Sequence, residues 1–205
     1  MKQFKQGMVM AGLLSVLAVS PALAADKVDL ARAEEIVAGR CSICHGLQGE
    51  SASPVFPRLA GQHAEYVAKQ LTDFKSGKRK SDAMRPQVEE LTPEEMRSLG
   101  AFFEEKKIGG RRAKDPELQA VGKYLFARGN SFSGVPSCAS CHGPQGLGTP
   151  LLPRLAGQHP RYIEEQIKQF NARERTNDNA VMHTVASKLT ELETHAVAEY
   201  IATLE

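Results

Sequence analysis

Two pentapeptides dictate how this chain can fold: Cys41-Ser42-Ile43-Cys44-His45 and Cys138-Ala139-Ser140-Cys141-His142. Both read C-x-x-C-H and together they use all four cysteines of the 205 residues. That spacing is the one for covalent attachment of c-type haem. Each thiol pair closes on the haem vinyl groups, and the adjacent histidine falls beneath the iron as proximal ligand. The competing chemistries fit less well. A redox dithiol expects a helix start within a βαβ pattern, and no strand pattern lies nearby. A zinc ribbon needs its two knuckles about 15–20 residues apart, far closer than these. Two disulfides, the ordinary reading of four cysteines in an exported chain, do not explain the histidines.

The motifs belong to a duplication. Pro57–His63 and Pro153–His159 both spell "PRLAGQH", "CSICHGLQGE" aligns with "CASCHGPQGL", and "EYVAKQLTDF" aligns with "RYIEEQIKQF". Further on "DAMRPQVEELTPEEM" lies over "NAVMHTVASKLTELET", and "LGAFFEEK" over "VAEYIATL". The expected organisation is a signal peptide over 1–24, an N-terminal haem domain over 25–108, a linker over 109–116 and a C-terminal haem domain over 117–205. Lys2 and Lys5, an apolar run Met8–Val19 and the small-x-small Ala22-Leu23-Ala24 carry the export reading. That run is short of the roughly 20 residues a transmembrane span needs, so the mature chain is expected in the periplasm without an anchor. Peripheral membrane association stays compatible with this.

Loss of Lys2 and Lys5 lowers Lys+Arg from 26 to match the 24 Asp+Glu. A mature chain without basic excess speaks against a nucleic-acid partner. The linker "KKIGGRRAKDPE" carries Gly-Gly, charge and a proline that suits the next helix start. So short a connector favours packed halves over wandering ones. Helices are expected at Val28–Arg40 and Glu117–Arg128, from about 63 and 160, and near 93–106 and 190–204. Tyr66, Val67, Leu71 and Phe74 form an apolar stripe, read as core. The fold is therefore all-α, with two covalent haem c groups supplying much of the core of two small domains.

A low-spin carrier needs a second axial ligand in each half. Only two candidate pairs recur in register: Met84 with Met182, and His63 with His159. The histidines sit where the middle helices begin, a surface or capping position. The methionines lie in polar loops with no evident core role. Roughly 40 residues of chain separate each from its proximal histidine, enough to cross the opposite haem face. Met/His ligation is favoured over bis-His, and would raise the reduction potential.

The two halves resemble class I cytochrome c domains, and their tandem arrangement resembles the dihaem cytochrome c4 family. The resemblance spans nearly all the mature chain: both C-x-x-C-H motifs, a Pro-x-Leu-x-Gly after each, and a phased Met before each terminal helix. It implies that Pro57 and Pro153 offer their carbonyls to His45 and His142, and that Leu59 and Leu155 pack on the haems. It also implies a first helix crossing the last. The second half keeps Gly122 and Phe126 to face Tyr200, whereas the first has Ala33 and Val37 against Phe102. "GNSFSGVPS" before Cys138 is an insertion that would cover or reshape one haem edge.

The function the resemblance implies is a periplasmic shuttle of single electrons, not an enzyme, with redox-protein donors and acceptors and no small-molecule substrate. Its direction would run from a quinol-oxidising complex towards a terminal oxidase or reductase. Two other classes compete: a dihaem subunit of a larger oxidoreductase, and a dihaem peroxidase. The peroxidase needs an open coordination position at one iron, which two in-register methionines argue against.

Overall fold

The computed structural model describes residues 28–107, 109–112 and 115–205; the expected signal peptide lies outside the described residues. Ten α-helices and one π-helical segment appear there, and the only extended pairings are two isolated bridges, Asn130 with Val135 and Thr149 with Leu152. No helix among the described residues is long and apolar enough to cross a membrane.

In the first half α1 (Leu30–Ile36) runs through a π-helical segment (Val37–Cys41) into α2 (Ser42–His45). There follow α3 (Ala64–Lys75), the short α4 (Arg85–Val88) and α5 (Pro93–Glu104). The second half repeats the order as α6 (Pro116–Arg128), α7 (Ala139–His142), α8 (Pro160–Asn171), α9 (Val181–Ala186) and α10 (Glu191–Ile201). The terminal helices start on matching signals. Thr92 with Glu95, and Thr190 with Glu193, form capping boxes that satisfy the first free N–H groups. Asp115 caps α6, and Pro116 occupies its first turn, so the residue expected to end the linker belongs to the helix.

In each half the first helix crosses the last. Gly122 brings α6 against α10 so closely that a Cβ there would lie 1.9 Å from the Ala196 carbonyl oxygen. Phe126 meets Tyr200 beside it, with ring centroids 5.5 Å apart. In the first half wholly buried Ala33 and Val37 take that place, and the Asp29 N–H donates to Ser98 Oγ of α5 at 2.9 Å. The inserted segment is a tight hairpin closed by the Asn130–Val135 pair. Asn130 Nδ2 donates to Glu193 Oε1 (2.7 Å), and Lys188 Nζ to the Gly134 carbonyl (3.0 Å), tying the hairpin to the start of α10.

Two expectations need correction. Met84 does lie in a turn, immediately before α4, but Met182 is not in a loop: it lies within α9. Both stretches are too short and polar for helical periodicity to register. The stripe on the middle helix is also only partly core. Val67 and Phe74 are buried, but so are the polar Gln70 and Asp73 on the same helix, and Tyr66 reaches the other half of the molecule.

That contact is one of a reciprocal set. Arg175 donates to the Tyr66 hydroxyl (2.9 Å) and Arg79 to the Tyr162 hydroxyl (3.0 Å). Arg79 also donates to Gln70 and Gln166 (both 2.8 Å), and Arg175 to Gln166 (2.7 Å). Each guanidinium lies over the phenylalanine of its own half, 4.6 Å from the Phe74 ring centroid for Arg79 and 4.5 Å from that of Phe170 for Arg175. The repeated heptapeptides touch as well. Gln158 Oε1 accepts from the Arg58 N–H (2.9 Å) while its Nε2 donates to the Arg58 carbonyl (2.9 Å). Gln62 does the same to Arg154, at 2.8 and 3.0 Å. The halves are locked face to face by a near-twofold polar interface, as the short connector led us to expect.

Candidate haem sites

The C-x-x-C-H segments reach their places by different local routes. Cys41 ends the π-helical segment and Cys44-His45 close α2, whereas Cys138 precedes α7 and Cys141-His142 close it. Ser42 Oγ bonds back to the Ala38 carbonyl (3.0 Å), and Ser140 Oγ to the Ser137 carbonyl (2.6 Å). Such back-bonding competes with the backbone ladder and tends to bend a helix. Burial pushes the Cys41 and Cys138 thiols up to about 11. A thiol held protonated is the opposite of the low-pKa cysteine that dithiol exchange requires.

Both histidines are buried with one ring nitrogen spoken for. His45 Nδ1 lies 2.9 Å from the Pro57 carbonyl oxygen and His142 Nδ1 3.1 Å from that of Pro153. A carbonyl can only accept, so Nδ1 carries the proton and Nε2 is left with its lone pair. Burial lowers both imidazoles below the usual histidine value, against the opposing pull of those carbonyls. The neutral, Nε2-basic form is the one that ligates a metal.

In the first half, half-buried Cys41, Leu59, Leu71 and Met84 pack against the buried core. In the second half the corresponding wall is Cys138, Leu155, Ile167, Tyr200 and Leu204, over Phe126 and Val197. Met182 stands outside that cluster, half-buried in α9, its N–H bonded to Asp178 Oδ2 at 2.5 Å. So the structure brings Cys41, Leu59 and Met84 together on one core, and Cys138 with Leu155 on the other. The competing histidines are engaged elsewhere. His63 Nε2 contacts the Leu147 carbonyl oxygen, and His159 Nε2 that of Ser51, both at 2.8 Å and both across the interface. Neither caps its helix through its side chain; His63 is half-buried and His159 is buried.

These features fit a large apolar ring with acidic edges. The walls are apolar and half-open, the histidines are neutral, and buried Nε atoms of Arg58 and Arg154 lack any protein partner. A buried guanidinium N–H without an acceptor awaits an anion such as a haem carboxylate.

A match to the cytochrome c family covers residues 30–125 and again 119–205. Cytochrome c4 of Thiocapsa roseopersicina is 42% identical over 168 residues, 80% of this chain and 86% of that protein. The solved structure of reduced recombinant cytochrome c4 from Pseudomonas stutzeri superposes with a TM-score of 0.82 at 36% identity, covering 87% of this chain and all of that one. The chain belongs to the cytochrome c4 family. As such it is a dihaem, all-α electron-transport cytochrome that carries two covalent haem c groups. A further relative, from Thiomonas intermedia, is named a thiosulfate dehydrogenase electron acceptor; it is 36% identical over 80% of this chain and 78% of its own length.

The cytochrome c4 halves were legible from cysteine spacing and repeats, but Arg58, Gln62, Gln70 and Arg79 with their counterparts were missed. A signal was there. The repeat preserves Tyr, Gln, Phe and Arg at the same intervals, as Tyr66, Gln70, Phe74 and Arg79 and as Tyr162, Gln166, Phe170 and Arg175. Polar residues kept on an apolar helix face point to a contact that must be satisfied in both halves.

Proposed function

We propose that this protein is a periplasmic carrier that takes single electrons from a quinol-oxidising complex and passes them to a terminal oxidase or reductase. In this reading Cys41, Cys44, Cys138 and Cys141 hold the haems through thioether bonds. His45 and Met84 would hold the iron in the first half, and His142 and Met182 in the second. The observation that carries it is the same arrangement built twice: a buried histidine with its Nδ1 on the carbonyl of the Pro-x-Leu-x-Gly proline, in a half whose first motif cysteine and loop leucine pack on one apolar core.

Each haem, when bound, supplies an iron that alternates between ferric and ferrous states. The chain's part is to hold that iron with little rearrangement. Pro57 and Pro153 fix the tautomer and orientation of the proximal histidines and raise their basicity. Leu59 and Leu155 exclude water beside the ring. The thioether sulfurs of Met84 and Met182 would favour the reduced state of the bound group. The engagement of His63 and His159 by Leu147 and Ser51 supports methionine over histidine as the sixth ligand.

Intact mass of the mature holoprotein should show loss of residues 1–24 and gain of two haems. Met84→Ala and Met182→Ala should each diminish the long-wavelength sulfur-to-iron band of the oxidised protein, and His63→Ala and His159→Ala should leave it. One haem by mass, or loss of the band in the histidine variants, contradicts the assignment.

The Thiomonas relative favours a second reading, in which the immediate donor is a sulfur-oxidising dehydrogenase rather than a quinol-oxidising complex. Copurification of a second redox polypeptide under mild conditions separates a bound subunit from a free shuttle.

A further inference from the structure

We propose that Gln62 and Gln158 are positioning residues that tune the opposite half's haem, each through the peptide group that hydrogen-bonds the other half's proximal histidine. The inference rests on the assignment of His45 and His142 as iron ligands.

The carbonyl that takes the His45 proton belongs to the peptide bond between Pro57 and Arg58. The N–H of that same peptide donates across the interface to Gln158 Oε1 at 2.9 Å. His45 Nδ1, the Pro57–Arg58 peptide and Gln158 therefore form one unbroken chain, with both hydrogen bonds at 2.9 Å. The other half repeats it: His142 Nδ1 to the Pro153 carbonyl at 3.1 Å, and the Arg154 N–H to Gln62 Oε1 at 2.8 Å. A peptide unit is a conjugated dipole, so electron density pushed in at its N–H appears at its oxygen. Consecutive hydrogen bonds strengthen one another, by about 10–30% per bond in condensed phase.

The glutamines are built for this. Gln62 and Gln158 are 7% and 6% exposed, so the chain runs where water screens it little. Each amide's orientation is set by its second arm, Nε2 donating to the Arg154 or Arg58 carbonyl. Each Oε1 also accepts the N–H of the following histidine, at 3.2 Å for His63 and 3.0 Å for His159. That bond adds a tie between the amide and the backbone at the start of α3 or α8.

The sign follows. An acceptor on the Arg58 N–H makes the Pro57 oxygen more negative and its hold on the His45 proton stronger. A more strongly held proton makes the imidazole a better donor to iron, which favours the ferric state. Each glutamine thus lowers the potential of the haem in the half to which it does not belong. Loss of the interface would raise both.

The test uses the holoprotein, with haem-methyl resonances assigned to each half so that the two sites are titrated separately. In Gln158→Leu the His45 site should shift towards the reduced form by about threefold in its reduced-to-oxidised ratio at fixed potential, which is about 28 mV at ~59 mV per tenfold. The His142 site should move much less. Gln62→Leu should show the mirror result, and Gln158→Glu, which keeps an acceptor on the Arg58 N–H, should not raise the potential. In the reduced Gln158→Leu protein the His45 Nδ1–H resonance should move upfield, reporting a weaker hydrogen bond. Should the leucine variants not fold, Gln158→Asn withdraws the amide by one methylene and carries the same expectation. Equal movement of both sites, a larger shift in the variant's own half, or an unmoved Nδ1–H resonance overturns the proposal. Absence of hyperfine shifts on His45 and His142 in the oxidised wild type would instead overturn the ligand assignment beneath it.

Discussion

Replacing Gly122 with alanine puts a methyl group where a hydrogen was, and the helix crossing has no room for it. The new Cβ would lie 1.9 Å from the Ala196 oxygen, 2.5 Å from its carbonyl carbon and 2.9 Å from Tyr200 Cβ. Two of these neighbours are backbone of a buried turn, with Ala196 fully enclosed, so no side chain can swing aside. To restore ordinary contact at about 3.4 Å, α6 and α10 must part by about 1.5 Å, beyond the 0.5–1 Å gap that already forfeits a quarter to a half of a contact's attraction. Phe126, Val197 and Ile201 would all loosen. Overpacking of this kind costs about 3 kcal/mol at the upper end of its usual range. Alanine's better helix propensity offsets about 1 kcal/mol of that. The net is about 2 kcal/mol. If the second half melts alone, Tm should fall by about 8–16 °C; if both halves melt as one unit, by about 4–8 °C. Far-UV circular dichroism melts of holoprotein decide, with Val121→Ala on the exposed side of the same helix as control. A Gly122→Ala variant melting at or above wild type would refute the crossing.

Other outcomes follow from the interface. Burial, with Arg58 and Arg111 nearby, lowers the His159 imidazole, while the Ser51 carbonyl raises it. The net is downward, so the unfolded chain binds the proton more readily, and stability is lost as pH falls from about 6.5 towards the depressed folded value. Tm should decline between pH 7 and 5.5, less steeply in His159→Gln; identical slopes would argue against this origin. Cleavage after Arg111 or Arg112 should leave the halves associated, because the reciprocal Gln62 and Gln158 bonds and the Arg79–Arg175 set do not pass through the connector. Fragments that separate on gel filtration at neutral pH would count against it.

Much of this protein is written locally. Attachment chemistry depends on two cysteines and a histidine within five residues, so C-x-x-C-H is readable without a fold. Proline, leucine and glycine after each motif follow within one short loop, and the His45–Pro57 and His142–Pro153 contacts link positions close in sequence. Helix starts such as Thr92 with Glu95 are local too. Duplication made these signals stronger by showing each twice. Tertiary structure alone decided what the remaining letters of "PRLAGQH" do. Arg58, Gln62 and His63 meet partners some hundred positions away, in the other copy. A single half contains the donor and the acceptor but not the twofold operation that brings them together. Tyr66 passed for core because an aromatic on an apolar helix face looks the same whether a side chain or a second domain covers it. Only when the halves pack does its hydroxyl find Arg175, and only then do Gln62, Gln70 and Arg79 meet polar partners in the other copy.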